Sequence, residues 1–107
     1  MKLPPPIQDY IDADGRNDGA AVIASFAPDA VVKDEGQTYV GSIAIGTWWR
    51  TSKFAYKHSI EPFEIIEKSD VIEPLAKVMG QFPGSPATIT FAFELGSSRI
   101  TALEVNP

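Results

Sequence analysis

Asp34 is the residue whose position most clearly raises a question of chemistry, because it follows an apolar run in a predicted strand. In the stretch FAPDAVVKDEG, residues 26–36, the alternation of side chains along a strand places Ala30, Val32 and Asp34 on one face. The opposite face carries two charges of opposite sign and is expected to face water. A carboxylate in an apolar pocket has a raised pKa and is a better general base. The pattern leaves two alternatives open, a pocket carboxylate or the solvated end of a strand.

Tyr10 and His58 are the other polar side chains that could take part in hydrogen-bond or acid–base chemistry. Tyr10 lies in a stripe with Ile7, Ile11 and Asp14 at helical spacing, which predicts a helix that carries the hydroxyl group towards a core. A buried tyrosine can equally donate to a backbone carbonyl. His58 is the single histidine, and a solvent-exposed side chain is the default interpretation of a histidine in a strand.

The composition excludes several other kinds of chemistry. The chain has no cysteine, which rules out disulfides, thiol catalysis and cysteine-based zinc sites. One histidine and scattered acidic residues give no ligand spacing for a metal ion, so we expect no metal. The segment GQFPGSP, residues 80–86, lacks the lysine and the following helix of a phosphate-binding loop.

Size and charge limit the partners. A chain of 107 residues favours one domain, covering residues 1–107. The net charge is −5 without a basic cluster, so we expect no nucleic-acid partner. No apolar run approaches the roughly 20 residues of a membrane span. The prolines near the N-terminus also break any signal-peptide core, and we expect a soluble, cytoplasmic protein that binds no membrane.

Hydrophobic periodicity predicts two helices, a strand pair, a third helix and a meander of four strands. Helices gathered near the start must cover one face of the sheet, which predicts an α+β fold. Pro62 predicts an edge or a bulge in the first meander strand. The predicted elements are a helix after the prolines at 4–6, a helix capped by Asn17 or Asp18 and ended by Pro28, strands at 31–35 and 38–40, a helix capped by Ser42, and strands at 57–67, 74–82, 88–95 and 99–105.

The order of elements, together with three runs of sequence, resembles a known superfamily. The runs are FAPDAVVKDEG…YVGSIAIGTWW, MGQFPGSP and ITFAFEL…ITALEV. They resemble the SnoaL-like branch of the nuclear transport factor two-like superfamily, which includes ketosteroid isomerase, polyketide cyclases, dehydratases and proteins that only bind partners. The resemblance implies a cone: a curved antiparallel sheet of about six strands wrapped around three helices, with a deep apolar pocket.

The resemblance to ketosteroid isomerase implies roles for two residues. Tyr10 in QDYI matches the tyrosine that donates a hydrogen bond to an oxyanion, and Asp34 in FAPDAVVKD matches the aspartate general base. A third group of that enzyme, a protonated aspartate in a later strand, falls at Ile89, or at Thr88 or Thr90 after a shift of one residue. None of these three residues is an acid.

The same resemblance implies a pocket lined by apolar and aromatic side chains. Trp48 and Trp49 are adjacent on the third helix and point roughly 100° apart, so we expect at most one of them to face the pocket. His58 could approach Asp34 if its side chain faces inward. The expected pocket residues are Phe26, Trp48, Trp49, His58, Phe82, Ile89 and Phe91.

These interpretations lead to one main functional hypothesis and two alternatives. The main hypothesis is a protein that binds a small apolar molecule and acts as a cofactor-free isomerase or cyclase. Asp34 would transfer a proton alpha to a carbonyl, and Tyr10 would stabilise the oxyanion. The alternatives are a non-catalytic ligand-binding or protein-interaction module of the same fold, and a dehydratase that pairs His58 with Asp34. In similar proteins the outer sheet face pairs two subunits, so we expect a homodimer through that face.

Overall fold

Helices and strands follow one another in the predicted order. The computed structural model describes residues 2–107 and confirms an α+β fold, with three helices and a six-stranded sheet in that part of the chain. None of these helices is long and apolar enough to cross a membrane. The elements are α1 (Pro5–Gly15), α2 (Gly19–Ala24), β1 (Phe26–Asp34), β2 (Gln37–Val40), α3 (Gly41–Tyr56), β3 (Ser59–Lys68), β4 (Val71–Met79), β5 (Ala87–Gly96) and β6 (Arg99–Asn106).

Capping chemistry explains the start of α2 but not that of α3. Asp18 caps α2, because its carboxylate accepts a hydrogen bond from the backbone N–H of Ala21 at 3.1 Å. The expected cap at Ser42 is wrong: Val40 is the N-cap of α3, and no side chain caps it. Gly41 has a φ of +87°, a conformation that favours glycine, and it turns the chain directly from β2 into α3. Ser42 therefore already lies within the helix.

The second helix ends earlier, and the first strand begins earlier, than the sequence predicts. α2 ends at Ala24 rather than at Pro28, and β1 begins at Phe26. Phe26 pairs with Ile100 of β6, and a shift of register between Phe26 and Val31 accommodates Pro28 within the strand. Pairing with a strand from the far end of the chain thus overrides the local signal.

The strand order in the sheet is β2-β1-β6-β5-β4-β3. β3 to β6 form the predicted antiparallel meander, and β2 pairs antiparallel with β1. β1 and β6 pair in parallel, which makes the sheet mixed rather than wholly antiparallel. Pro62 lies in the edge strand β3 beside a shift of register, as its residue type predicts.

The core lies between the helices and the inner face of the sheet, and Tyr10 is at its centre. The Tyr10 ring packs edge-on against Phe26 and Phe93, with ring centroids 5.7 and 5.8 Å apart. Within residues 2–107, the buried polar side chains are Asp14 and Ser25. Asp14 is 0% exposed, so a charged group here must find its partners inside the protein.

Candidate functional site

A cavity of about 410 Å³ lies between α1, α3 and the inner face of the sheet. This volume is within the range of about 300–1,000 Å³ that is typical of small-molecule pockets. Most of its wall is aliphatic or aromatic. The residues expected at the site that line the cavity are Tyr10, Asp34, Trp48, Trp49, His58, Phe82, Ile89 and Phe91.

Phe26 is the expected pocket residue that does not line the cavity. It is 2% exposed and packs behind Tyr10, with the two rings at 89°. Its position follows from the early start of β1, because Phe26 is the first residue of that strand rather than part of α2. Phe26 therefore supports the Tyr10 ring and does not contact the cavity.

Both tryptophans line the cavity, so the expectation that at most one would do so is wrong. The cavity wall follows α3 over a wider arc than the roughly 100° between adjacent side chains. Each indole N–H has its own carboxylate acceptor at 2.9 Å: Trp48 donates to Asp34, and Trp49 donates to Asp14. The two indoles are thus fixed in orientation from opposite sides of the wall.

Asp34 lies at the end of β1, half-buried, with its carboxylate on the cavity wall. Its inner-face neighbours Ala30 and Val32 are 1% and 0% exposed, which is the parity expected from the sequence. Burial raises the pKa of Asp34, and the charge of Glu35 raises it further, although the Trp48 indole opposes both. A carboxyl with a raised pKa holds a proton more readily, which suits a group that accepts one.

The Tyr10 hydroxyl group is one of the hydrogen-bond donors at the cavity. The residue is 2% exposed, yet no other group within residues 2–107 is hydrogen-bonded to its hydroxyl. Burial raises the pKa of Tyr10 well above its usual value, and the charges of Asp14 and Asp34 add to this effect. Tyr10 is therefore a neutral phenol at physiological pH and can donate to a ligand oxygen.

Asp14 is the functional candidate that sequence reasoning missed. Its carboxylate lies behind the cavity wall and accepts hydrogen bonds from Trp49 Nε1, Lys53 Nζ and His58 Nε2, each at 2.9 Å. Burial raises the pKa of Asp14. The hydrogen bond and the charge of His58 lower it, and so do the hydrogen bonds from Lys53 and Trp49. Together they outweigh burial and hold the pKa below its usual value. Asp14 is therefore an ionised, fully partnered carboxylate.

His58 pairs with Asp14 and not with Asp34, which corrects the pairing in the dehydratase alternative. Nε2 of His58 lies 2.9 Å from Oδ2 of Asp14, and because a carboxylate only accepts, Nε2 is the donor of this hydrogen bond. One signal in the sequence pointed to Asp14: it is the only acid in the predicted apolar stripe of α1. An acid at such a position needs a buried partner.

A close approach of chain segments places His58 beside Asp14. Lys57, with a φ of +48°, ends α3, and Lys53 Nζ also donates to the His58 carbonyl oxygen at 2.5 Å. A Cβ atom at Gly80 would lie 2.5 Å from the carbonyl oxygen of Tyr56 and 3.0 Å from Cα of His58. Only glycine lets the chain after β4 pass so close to this corner.

Three residues line the cavity where its wall is exposed or half-buried, and we call this part the mouth: Glu35, Tyr56 and Phe82. Glu35 is exposed, and its Oε1 accepts a hydrogen bond from the Tyr56 hydroxyl at 3.3 Å. The Tyr56 and Phe82 rings meet edge to face, with centroids 5.8 Å apart. Within residues 2–107, no group of three or more histidine, aspartate or glutamate side chains is arranged to hold a metal ion.

Comparison with solved structures places this architecture in a family. A proposed polyketide cyclase from Sinorhizobium meliloti is 44% identical in sequence and superposes with a TM-score of 0.94, over 97% of this chain and 95% of that one. The chain belongs to the SnoaL-like branch of the nuclear transport factor two-like superfamily. No family model matches the sequence, and no curated protein matches it.

Two solved structures of lower sequence identity share the fold. A Catenulispora acidiphila protein with a ketosteroid isomerase-like fold, in complex with trimethylamine, is 17% identical with a TM-score of 0.84, over 99% of this chain and 87% of that one. A Mycobacterium tuberculosis protein in complex with estradiol-17beta-hemisuccinate is 18% identical with a TM-score of 0.80, over 94% of this chain and 89% of that one. At these identities the likeness shows the fold alone.

Proposed function

We propose that this protein binds a small apolar carbonyl compound in the cavity and transfers a proton alpha to the carbonyl without a cofactor, as an isomerase or a cyclase. The observation that carries the proposal is that two groups line one apolar cavity: the hydroxyl group of the Tyr10 phenol, whose ring is buried, and the Asp34 carboxyl, whose pKa is raised. An apolar wall suits the hydrophobic body of such a substrate.

Each group has a separate task in the proposed reaction. Asp34 removes the proton alpha to the carbonyl, breaking the C–H bond, and the electron pair moves onto the carbonyl oxygen to form an enolate. Tyr10 donates a hydrogen bond to that oxygen, where negative charge develops. Protonated Asp34 then returns the proton to a carbon of the enolate, which gives an isomer. In a cyclase the enolate carbon instead attacks a second carbonyl of the same molecule, whose oxygen takes up the proton.

Proton exchange into a simple ketone tests this function. In D₂O, the protein should accelerate the loss of the alpha-proton signals of 2-tetralone in ¹H NMR spectra above the rate in buffer. The Tyr10→Phe variant should lower this acceleration about 10²–10³-fold, as expected for the loss of one oxyanion donor. Tyr39→Phe is the matched control, because Tyr39 does not line the cavity. An exchange rate equal to that of buffer, with the ketone shown to bind, would exclude the enzyme and leave the non-catalytic ligand-binding module.

A dehydratase is the second candidate, and the hydrogen bond between His58 and Asp14 favours it. An imidazole oriented by a buried carboxylate can remove a proton from carbon and pass it to the leaving hydroxyl group, which departs as water. In this version Asp14 replaces Asp34 as the partner of His58. The His58→Gln variant separates the two candidates, because it should abolish dehydration of a β-hydroxy ketone and leave exchange into 2-tetralone largely unchanged.

We further propose that two copies of the chain associate through the outer face of the sheet. Support comes from apolar side chains on that face, including Leu75 and Ala92, with Phe63 53% and Met79 37% exposed. A self-complementary interface of this kind gives a twofold dimer. Sedimentation should report a dimer for the native chain and a monomer for Leu75→Glu, and a monomeric native chain would exclude this assembly.

A further inference from the structure

The cavity wall carries two carboxylates, and the basic side chain that lines it within residues 2–107, His58, is hydrogen-bonded to Asp14. Asp34 and Glu35 both line the cavity, and no lysine or arginine of residues 2–107 does so. Lys53, on the same helix as the tryptophans, donates to Asp14 and to the His58 carbonyl oxygen and lines a separate cleft. Lys53 is therefore paired with Asp14 and forms no ion pair with either of the two cavity carboxylates.

Titratable groups around the cavity respond to this field. The charge of Glu35 is the main cause that raises the pKa of the Tyr56 hydroxyl, and the charge of Asp34 adds to it. At Tyr10, burial raises the pKa most, followed by the charges of Asp14 and Asp34. A potential that disfavours negative charge on these groups also disfavours a carboxylate on the ligand and favours an ammonium group.

Aromatic side chains donate hydrogen bonds to the same two carboxylates. The Trp48 indole donates to Asp34 at 2.9 Å, and the Tyr56 hydroxyl donates to Glu35 at 3.3 Å. The Phe82 ring meets Tyr56 edge to face, and all five residues line the cavity. Ring faces attract an ammonium group through their quadrupole, and Trp and Tyr do so most strongly. The carboxylates are fixed beside these rings by the aromatic donors themselves, so the site is formed before a ligand arrives.

We propose that the outer part of the cavity, formed by Asp34, Glu35, Trp48, Tyr56 and Phe82, binds a protonated or quaternary amine. The inner end is closed by Tyr10, which is 2% exposed, while Glu35 at the mouth is exposed. A substrate that spans both ends is an apolar carbonyl compound with a cationic amine, its carbonyl oxygen towards Tyr10 and its ammonium group towards the mouth. The position of the carbonyl in this substrate class rests on the proposed function. The amine site does not, because it is inferred from the residues at the mouth.

Three probes of similar shape and different charge test the amine site. They are benzyltrimethylammonium, its uncharged carbon isostere neopentylbenzene, and the anion phenylacetate, each titrated into the full chain with binding measured by NMR. The cation should bind at least about tenfold more tightly than the uncharged isostere, as a desolvated cation–aromatic contact predicts, and the anion should bind most weakly. Equal or tighter binding of neopentylbenzene would overturn the proposal, as would no binding of the cation.

Two variants show whether the mouth carries the preference. Glu35→Gln should weaken binding of benzyltrimethylammonium several-fold and leave neopentylbenzene unchanged. Glu94→Gln makes the same charge change at an exposed position of β5 that does not line the cavity, and it should leave both affinities unchanged. Equal losses in the two variants would mean that net charge alone attracts the cation, and the amine site would be excluded. These probes contain no carbonyl, so a failure of proton exchange and a failure of amine binding are seen separately.

Discussion

Two aspartates accept indole N–H groups from adjacent tryptophans of α3, yet their pKa values shift in opposite directions. Asp34 on the cavity wall accepts from Trp48, and Asp14 behind the wall accepts from Trp49, each at 2.9 Å. Burial raises the pKa of both carboxyls. At Asp34 burial prevails, whereas at Asp14 the additional donors outweigh it. The number and charge of the donors, and not burial alone, decide which carboxyl holds its proton more weakly.

The comparison divides the proposed work between the two acids. Asp14, with Lys53 and His58 as partners, is neutralised within the protein and suits a structural and positioning role. Asp34 has one side-chain donor and the acidic neighbour Glu35, so its carboxylate is the less satisfied of the two. An incompletely satisfied carboxylate beside a ligand cavity is the better proton acceptor.

The largest expected effect is on catalysis, and it should appear at Asp34. Asp34→Asn removes the proposed base and should lower the acceleration of proton exchange into 2-tetralone about 10²–10⁴-fold, the usual contribution of a general base. Asp9→Asn, at an exposed position of α1, is the matched control and should exchange protons at the native rate. If Asp34→Asn retained native exchange, the division of work between the two aspartates would be wrong.

The next effect is on stability, and it should appear at Asp14. Asp14→Ala leaves the charge of Lys53 and the His58 ring without their buried acceptor, which should lower the free energy of unfolding by about 3–5 kcal/mol. Asp34→Ala removes a half-exposed carboxylate and should cost less than about 1 kcal/mol. Urea unfolding of the two variants measures the difference. Equal losses would show that Asp14 is not the structural member of the pair.

The order of elements was predictable, whereas the partners of Asp14 were not. The helical stripe of α1 and the alternation in β5 are local patterns that predict element type, and the alternation in β1 predicts the inward face of Asp34. The contacts of Asp14 join residues 39 and 44 positions away, Lys53 and His58. They depend on how the ends of α1 and α3 meet the start of β3, which no local pattern encodes. The parallel pairing of β1 with β6 escaped prediction for the same reason.

The opposite pKa shifts should give opposite pH dependences of stability. For Asp14, whose pKa in the folded protein lies below the ordinary value of 3.8, stabilisation is present above that value and is lost as the pH falls through the folded pKa. For Asp34, with a raised pKa, the folded state holds more protons above pH 3.8, so stability declines as the pH rises through the folded value. Urea unfolding from about pH 2 to pH 7 measures both effects. Asp14→Asn should remove the loss of stability at low pH, and Asp34→Asn should remove the decline of stability as the pH rises.

The smallest effect expected is that of the indole donors, and it tests the explanation itself. Trp48→Phe removes the single side-chain donor of Asp34 and should raise the pKa of that carboxyl further, because the indole hydrogen bond lowers it. Trp49→Phe should raise the pKa of Asp14 by less, since Lys53 and His58 still donate to it. NMR titration of the two carboxyl carbons measures both changes.

The two tryptophan variants are each other's controls, because they remove the same atoms from adjacent positions of one helix. A larger change at Asp14 than at Asp34 would contradict the conclusion that the extra donors set its pKa. A change in the pKa of both carboxyls in both variants would mean that the substitutions open the cavity to water. Hydration lowers the pKa of a buried carboxyl whichever donor is lost. If each carboxyl has its own set of donors, the pKa should rise only at the carboxyl that lost its donor, and the rise should be greater at Asp34.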